Sequence, residues 1–122
     1  MWVFTNNAFF SVVKDRNNEN GVVVRARVPR DLENTFGSVH QVHETEDSDY
    51  RFRMYLDHEY VAEVISQAVK DIEYDNFKNS IDKRDTDRYS YYTRVWSVMN
   101  SWQESLYPYN PDKYGLRDWY LT

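Results

Sequence analysis

The chain has 122 residues, of which 41% are hydrophobic and 17% aromatic, and its formal net charge is −5. This length fits one domain, and the apolar fraction is sufficient for a buried core. The acidic balance disfavours a broad nucleic-acid-binding surface but leaves room for a local basic pocket. The lack of cysteine excludes disulfides, zinc–thiolate sites and cysteine nucleophiles.

The first elements predicted along the chain are two strands. Residues 2–14 are rich in aromatic and β-branched side chains, which favours a strand with a bend at residues 6–7. Because no basic residue precedes this apolar stretch, it does not resemble a signal peptide, and it is too short to span a bilayer. A polar turn leads to the second strand, residues 22–28, and the pair predicts a hairpin. Pro29 then suits the first turn of a short helix that Gly37 would end.

The middle of the chain predicts two more strands and a helix. Residues 38–45 are a plausible third strand, and an acidic turn separates them from a fourth strand over residues 50–56. Asp57 is placed to cap the helix that follows. Apolar residues recur at helical spacing in that helix: Val61, Val64, Ile65, Ala68, Val69 and Ile72.

The last third of the chain predicts helix followed by an aromatic tail. Residues 72–81 are read as a continuation of the preceding helix, and residues 89–103 as the last helix. The apolar face of that last helix comprises Tyr92, Val95, Trp96, Met99 and Trp102, with Trp96 at its centre. Residues 104–122 carry two prolines and many aromatics, so we expect a tail packed on the domain or on a partner subunit. The element order predicts an α+β fold: a single domain over residues 1–103, with an antiparallel sheet of about four strands and helices on one face.

Four arginines alternate with apolar residues in the second and fourth strands. Since side chains alternate between the faces of a strand, Arg25 and Arg27 share one side, and Arg51, Arg53 and Tyr55 share a side of the other strand. If these strands are neighbours, the four guanidinium groups gather on the open face of the sheet. The apolar side chains of the fourth strand are expected to face the helices: Tyr50, Phe52, Met54 and Leu56.

Gathered guanidinium groups repel one another, and three kinds of partner could compensate for this. The first is internal pairing with a carboxylate: Glu19, Glu33, Glu44, Glu46, Asp47 or Asp49. The second is a phosphate-bearing ligand, because the planar arginine fork matches phosphate bidentately and Tyr55, Trp2 or a tail aromatic could stack on a base. The third is an acidic patch on a partner protein.

Other candidate sites have weaker signals. His40 and His43 would face opposite sides of a strand and so could not share a metal ion, and the acidic run at residues 44–49 lacks the glycine of a calcium loop. Lys78 and Asn79, near the end of the continued helix, could bind a polar ligand or equally satisfy helix-end carbonyls. The chain contains no GxSxG, P-loop, GxGxxG or HExxH motif.

Five segments together resemble a family of small proteins of bacteria and their phages, most of which have no assigned activity: WVFTNNAFFSVV, VVVRARV, DYRFRMYL, IEYDNFKNSI and YTRVWSVM. The resemblance covers roughly residues 1–100, and Ala8 stands where members commonly have glycine. Size, element order and the combination of arginines with aromatics are also similar to phage anti-defence sponges that counter Thoeris immunity. Those proteins bind a cyclic ADP-ribose signal without cleaving it and act as homo-oligomers, but no motif transfers from them residue by residue.

We therefore expect a non-enzymatic, cytoplasmic binding protein that sequesters a small phosphate-bearing nucleotide, including cyclic ones, as a homo-oligomer, in a host cell if it is phage-encoded. The alternatives are an inhibitor or interaction module that binds a host protein, and a nucleotide hydrolase, for which no nucleophile or metal set is recognisable. No cofactor, metal or membrane partner is predicted. The expected ligand-binding residues are Arg25, Arg27, Arg51, Arg53, Tyr55, Lys78 and Asn79.

Overall fold

A computed structural model describes residues 1–108, and the chain divides into two compact units, Met1–Glu73 and Tyr74–Thr122. Most of the aromatic tail anticipated for residues 104–122 lies outside the described residues, from residue 109 onward. Its packing, and the single domain expected over residues 1–103, stay predictions. None of the helices within residues 1–108 combines the length and the apolar character needed to cross a membrane.

The first unit is built on a five-stranded antiparallel sheet, which confirms the α+β prediction. Its order in space is β1-β2-β3-β5-β4. The strands are β1 (Trp2–Thr5), β2 (Ala8–Lys14), β3 (Gly21–Ala26), β4 (His43–Glu44) and β5 (Phe52–Asp57). The predicted first strand is in fact two, because Asn6 and Asn7 form a tight turn and Thr5 pairs with Ala8 across it.

The predicted third strand shrinks to the two residues of β4. The residues before it turn toward the helices: Val42 packs against the core, and the Nε2 atom of His40 lies 3.1 Å from the hydroxyl of Tyr60. The short β4 strand therefore lies at the sheet edge and pairs with β5 alone.

The first unit has two helices: α1 (Asp31–Phe36), between β3 and β4, and α2 (His58–Lys70), directly after β5. Gly37 ends α1 as predicted, with φ of 84° and its N–H donating to the Glu33 carbonyl. The helix begins after Pro29 rather than at it. The carboxylate of Asp31, which is fully buried, accepts a 2.9 Å hydrogen bond from the Phe9 N–H and so ties the start of α1 to β2.

The core lies on the sheet face that α1 and α2 cover. It joins residues from three strands to residues from both helices: Ala8, Phe10, Val22, Val24, Ala26, Met54, Leu32, Phe36 and Val61. Val64 and Ile65 pack against this cluster, as their spacing predicted. Val69 is 62% exposed, and Ile72 lies beyond the end of α2. The prediction that helix continues through residues 72–81 is wrong, because this stretch combines β-branched and aromatic residues with Asp and Asn, all poor helix formers.

Up to residue 108, the second unit contains a 3₁₀ turn, Lys78–Ser80, and the long helix α3 (Thr86–Leu106). The helix starts earlier than predicted because the side chain of Asp85 caps it, accepting a hydrogen bond from the Arg88 N–H. Of its predicted apolar face, Tyr92 is buried and its ring stacks on Phe77 at 5.9 Å. Trp96 is half-buried rather than central to a core. The other members of that face are exposed: Val95, Met99 and Trp102.

Candidate functional site

A row of side chains crosses all five strands on the sheet face opposite the core. The strand register aligns Trp2 with Ser11, Ser11 with Arg25, Arg25 with Arg53, and Arg53 with His43. Register partners share a face, and their neighbours along each strand point into the core. We call this second side of the sheet the arginine face. The two arginine-bearing strands, β3 and β5, are neighbours in the sheet, so the condition for their arginines to lie together is met.

Arg25 and Arg53 stand directly opposite each other at the centre of this row, and both are half-buried. Within residues 1–108, neither has a carboxylate close enough for an ion pair. Each donates instead to a hydroxyl: the Nη2 of Arg25 lies 2.9 Å from the Ser11 Oγ, and the Nη2 of Arg53 lies 2.9 Å from the Ser48 Oγ. Two like charges therefore face each other with only neutral partners.

The two guanidinium groups also keep donors unused. The Nε atoms of Arg25 and Arg53 are buried and have no acceptor among the described residues. Their Nη1 groups make no hydrogen bond there either, yet they are not buried. An arginine offers five N–H donors, and a buried donor without an acceptor costs about 1–3 kcal/mol. The pair is therefore deficient in both negative charge and hydrogen-bond acceptors.

Arg27 extends this positive region along one side. Its Cζ atom lies 4.0 Å from the ring centroid of Tyr50, and that of Arg25 lies 4.4 Å from the same centroid, so both guanidinium groups lie against one aromatic ring. The Nε of Arg27 also donates to the Asp49 carbonyl at 3.1 Å, and its Cζ lies 5.8 Å from the Phe9 ring centroid. These contacts fix the position of Arg27 without neutralising its charge.

The position of Tyr50 corrects the prediction that it faces the helices. The strand β5 starts only at Phe52, and a turn closed by the Thr45 N–H and the Arg51 carbonyl at 2.8 Å precedes it. Because Tyr50 belongs to that turn, its ring is outside the alternation of the strand. It is 3% exposed and packs against the arginines rather than in the core.

Arg51 does not join the other three arginines. Its Nε lies 2.7 Å from the Glu44 carboxylate and its Nη2 lies 3.8 Å from that of Glu46, and all three side chains are substantially exposed. Pairing with an internal carboxylate is thus observed for Arg51, where it contributes about 0–1 kcal/mol. From the same acidic turn, residues 44–49, Arg27 receives only the Asp49 carbonyl as an acceptor, and Arg53 receives only the Ser48 hydroxyl.

On the arginine face, aromatic side chains lie on either side of the arginines, toward β1 and toward β4. On one side Tyr55, which is 50% exposed, follows Arg53 along β5 and meets the His43 ring edge-on at 5.2 Å. On the other side Trp2, which is 66% exposed, meets the Phe9 ring edge-on at 5.9 Å. Exposed rings beside unneutralised guanidinium groups suit a ligand with an aromatic and an anionic part.

Lys78 and Asn79 lie in the other unit. The ammonium of Lys78 is 4.5 Å from the Trp96 ring centroid, and the Asn79 backbone N–H donates to the side chain of Asn76 at 3.0 Å. Because α2 ends at Lys70, neither residue is at the end of a continued helix, and the premise of both earlier interpretations is wrong. Their part in ligand binding stays a prediction.

Sequence reasoning did not identify Ser11, Ser48 or Tyr50 as neighbours of the arginines. A signal existed for Ser11, because it is the sole uncharged polar residue in β2, AFFSVVK, and it aligns with Arg25 once the hairpin is in register. No comparable signal existed for Ser48 and Tyr50, which reach the arginines through the path of a turn.

Two further features could mark a candidate site: clusters of metal-ligating side chains and carboxylates with a shifted pKa. No group of three or more His, Asp and Glu side chains that could hold a metal ion occurs in the part of the chain that the structure describes. The pKa of Asp82 is lowered to about 2, because the side chain and backbone of Arg84 donate hydrogen bonds to its carboxylate. Both side chains of that pair are exposed, in the unit that does not carry the arginine face.

No protein-family model, no curated protein and no solved structure matches this chain.

Proposed function

We propose that the chain is a non-enzymatic binding protein that captures a small phosphate-bearing nucleotide on its arginine face. The observation that carries this proposal is the opposed pair Arg25 and Arg53, which have neutral hydrogen-bond partners and buried Nε donors without acceptors. A phosphate placed at this pair would supply the missing negative charge, and its oxygens could accept hydrogen bonds from the Nη1 groups, which are not buried.

The energetics favour an anion from outside the chain. Like charges directly opposite on neighbouring strands are destabilising, by an amount on the order of 0.2–1 kcal/mol. Hydrogen bonds to a charged partner contribute about 1.5–3 kcal/mol each. Since the Nη1 groups are not fully buried and have no described partner, a phosphate can contact them without first breaking an internal ion pair. Arg27, on the ring of Tyr50, adds a third positive charge nearby.

Binding without turnover fits the side chains around the pair. The hydroxyl of Ser11 accepts a hydrogen bond from Arg25, and its residue is 1% exposed, so it is badly placed to attack a ligand. His43 packs edge-on against Tyr55 instead of holding a nucleophile. In the setting implied by the resemblance to anti-defence sponges, the protein would sequester a cyclic nucleotide signal as a homo-oligomer in the cytoplasm of a host cell.

Isothermal titration calorimetry of the full-length chain with cyclic ADP-ribose and with cyclic dinucleotides tests the proposal. At least one ligand is expected to bind stoichiometrically and to be recovered intact. Arg25→Met and Arg53→Met are each expected to weaken its binding at least about tenfold, as loss of one charge-assisted hydrogen bond implies. Arg16→Ala removes an exposed arginine from the turn after β2 and is the matched control. Equal affinities for all variants, or no binding by the parent chain, would contradict the proposal.

A second candidate function has an observation of its own. The helix α3 exposes an apolar set of residues in the described part of the chain: Val95, Val98, Met99, Trp102 and Leu106. Large exposed apolar surfaces often mark protein–protein contacts, which supports an interaction module that binds a host protein. Co-purification of one host protein with the parent chain and with Arg53→Met, but not with Trp102→Glu, would favour this candidate.

A further inference from the structure

The aromatic groups on the arginine face are arranged on two sides of the arginines rather than on one. Trp2 and Phe9 lie on the β1–β2 side, and Tyr55 and His43 lie on the β5–β4 side. The row Trp2, Ser11, Arg25, Arg53, His43 places the two guanidinium groups between these aromatic pairs. Apart from the buried ring of Tyr50, which lies against Arg25 and Arg27, the face is therefore aromatic, then cationic, then aromatic across the sheet.

We infer that the ligand is a dinucleotide, with its two bases against the two aromatic pairs and the phosphate that links its two nucleosides against Arg25 and Arg53. This inference rests on the proposed function and extends it from phosphate-bearing nucleotides in general to those with two bases. Each element of the row then has a counterpart in the ligand, because a dinucleotide carries its negative charge between two flat aromatic groups.

The spacing across the sheet favours two bases over one. Neighbouring strands lie about 4.7–4.9 Å apart, so β1 and β5, which are three strand spacings apart, are separated by about 14 Å. A mononucleotide has one base and can contact only one of the two aromatic pairs while its phosphate is on the arginines. A dinucleotide has a second base for the opposite pair.

The rings of Trp2 and Tyr55 are exposed enough for each to contact a ligand base. Trp2 is 66% and Tyr55 50% exposed, although each already makes an edge-on contact with a second ring. A single exposed aromatic needs no explanation. Here two exposed aromatic rings lie on opposite sides of unneutralised arginines on one sheet face, and each contacts a second ring. This arrangement matches a dinucleotide, in which two bases flank a negative charge.

The test compares linear diadenylate, pApA, with AMP by calorimetry on the full-length chain. Stacking of one base contributes about 1–3 kcal/mol, which at 1.4 kcal/mol per tenfold corresponds to about 5- to 150-fold in affinity. The parent chain is expected to bind pApA tighter than AMP by a factor in this range. Trp2→Leu and Tyr55→Leu should each reduce the affinity for pApA by a similar factor, and neither should abolish binding of AMP, since one aromatic pair remains.

The exposed Trp102 of α3 provides the matched control, because Trp102→Leu makes the same substitution in the other unit and should leave both affinities unchanged. Circular dichroism melts of each variant confirm that it is folded. Equal affinities of the parent chain for pApA and AMP, or a Trp2→Leu variant that binds pApA as the parent does, would overturn the inference and leave the proposed function standing. No binding of pApA, AMP or the cyclic nucleotides would overturn both.

Discussion

Substituting Arg53 with methionine is expected to leave the fold about as stable as before but to remove its stabilisation by phosphate. Methionine keeps an apolar chain in place of the arginine stem. The substitution gives up the charge-assisted hydrogen bond to Ser48, which contributes about 1.5–3 kcal/mol. It also removes a buried Nε without an acceptor, about 1–3 kcal/mol, and the repulsion from Arg25, about 0.2–1 kcal/mol. The opposing contributions nearly cancel, so the free energy of unfolding should change by less than about 1 kcal/mol.

The assay is urea unfolding of the full-length chain, followed by circular dichroism, in pyrophosphate and in sodium chloride of equal ionic strength. A ligand at about 100 times its Kd stabilises the folded state by about 2.7 kcal/mol. We expect pyrophosphate to stabilise the parent chain in this way and to have a much smaller effect on Arg53→Met. Arg51→Met is the matched control: it breaks only an exposed ion pair, at about 0–1 kcal/mol, and should retain the pyrophosphate effect.

Two results would refute this reasoning. If Arg53→Met loses about 3–5 kcal/mol without any ligand, Arg53 belongs to a buried internal charge pair and is structural. If pyrophosphate stabilises the parent chain and Arg53→Met equally, the anion binds elsewhere and the opposed arginines are not its site.

Three further predictions concern residues with distinct environments. Met54 is fully buried on β5 and Tyr55 is half-exposed beside it, so in urea unfolding Met54→Ala should cost about 2–5 kcal/mol and Tyr55→Ala less than about 0.5 kcal/mol. Trp96→Ala should cost about 1–2 kcal/mol, below the ~3–5 kcal/mol of a fully buried tryptophan, because its side chain is only partly buried; a larger loss would show that it belongs to a core. NMR titration should place the pKa of Asp82 at about 2, and Arg84→Ala should return it toward 3.8. Because the folded-state pKa is depressed, the contribution of this carboxylate to stability is complete above pH 3.8 and is lost as the pH falls through about 2; a midpoint near 3.8 in the parent chain would contradict the pairing.

Alternation along the strands was enough to predict an antiparallel sheet and the sheet face on which Arg25 and Arg53 lie. In VVVRARV, Val22 and Val24 occupy the core face and Arg25 occupies the other, whereas Val28 lies beyond the end of β3 and is exposed. The same period in RFRMYL predicts Met54 in the core and Arg53 on the other face, where the structure places it opposite Arg25. These inferences succeeded because a strand with one buried face fixes its own register.

The features that sequence reasoning missed depend on turns and on tertiary contacts. Tyr50 left the alternation because the turn closed by Thr45 and Arg51 ends just before β5 begins. The pairing of Arg51 with Glu44, while Arg53 meets a serine hydroxyl, is likewise decided by the path of that turn. The alternation of residues along a strand does not reveal the path of a turn. The sequence therefore predicted one environment for all four arginines, whereas only Arg25, Arg27 and Arg53 lie together.

The most direct test of an exogenous anion at the arginine pair is NMR observation of the arginine Nε–H groups during titration of the full-length chain with pyrophosphate. We expect the Nε–H resonances of Arg25 and Arg53 to shift together and to saturate with one Kd, because a phosphate bound at the Nη1 groups changes the charge environment of both guanidinium groups. The resonance of the exposed Arg16 should move no more than it does in sodium chloride of equal ionic strength. If Arg25 and Arg53 respond only as Arg16 does, without saturation, the pair binds no phosphate and the account is contradicted.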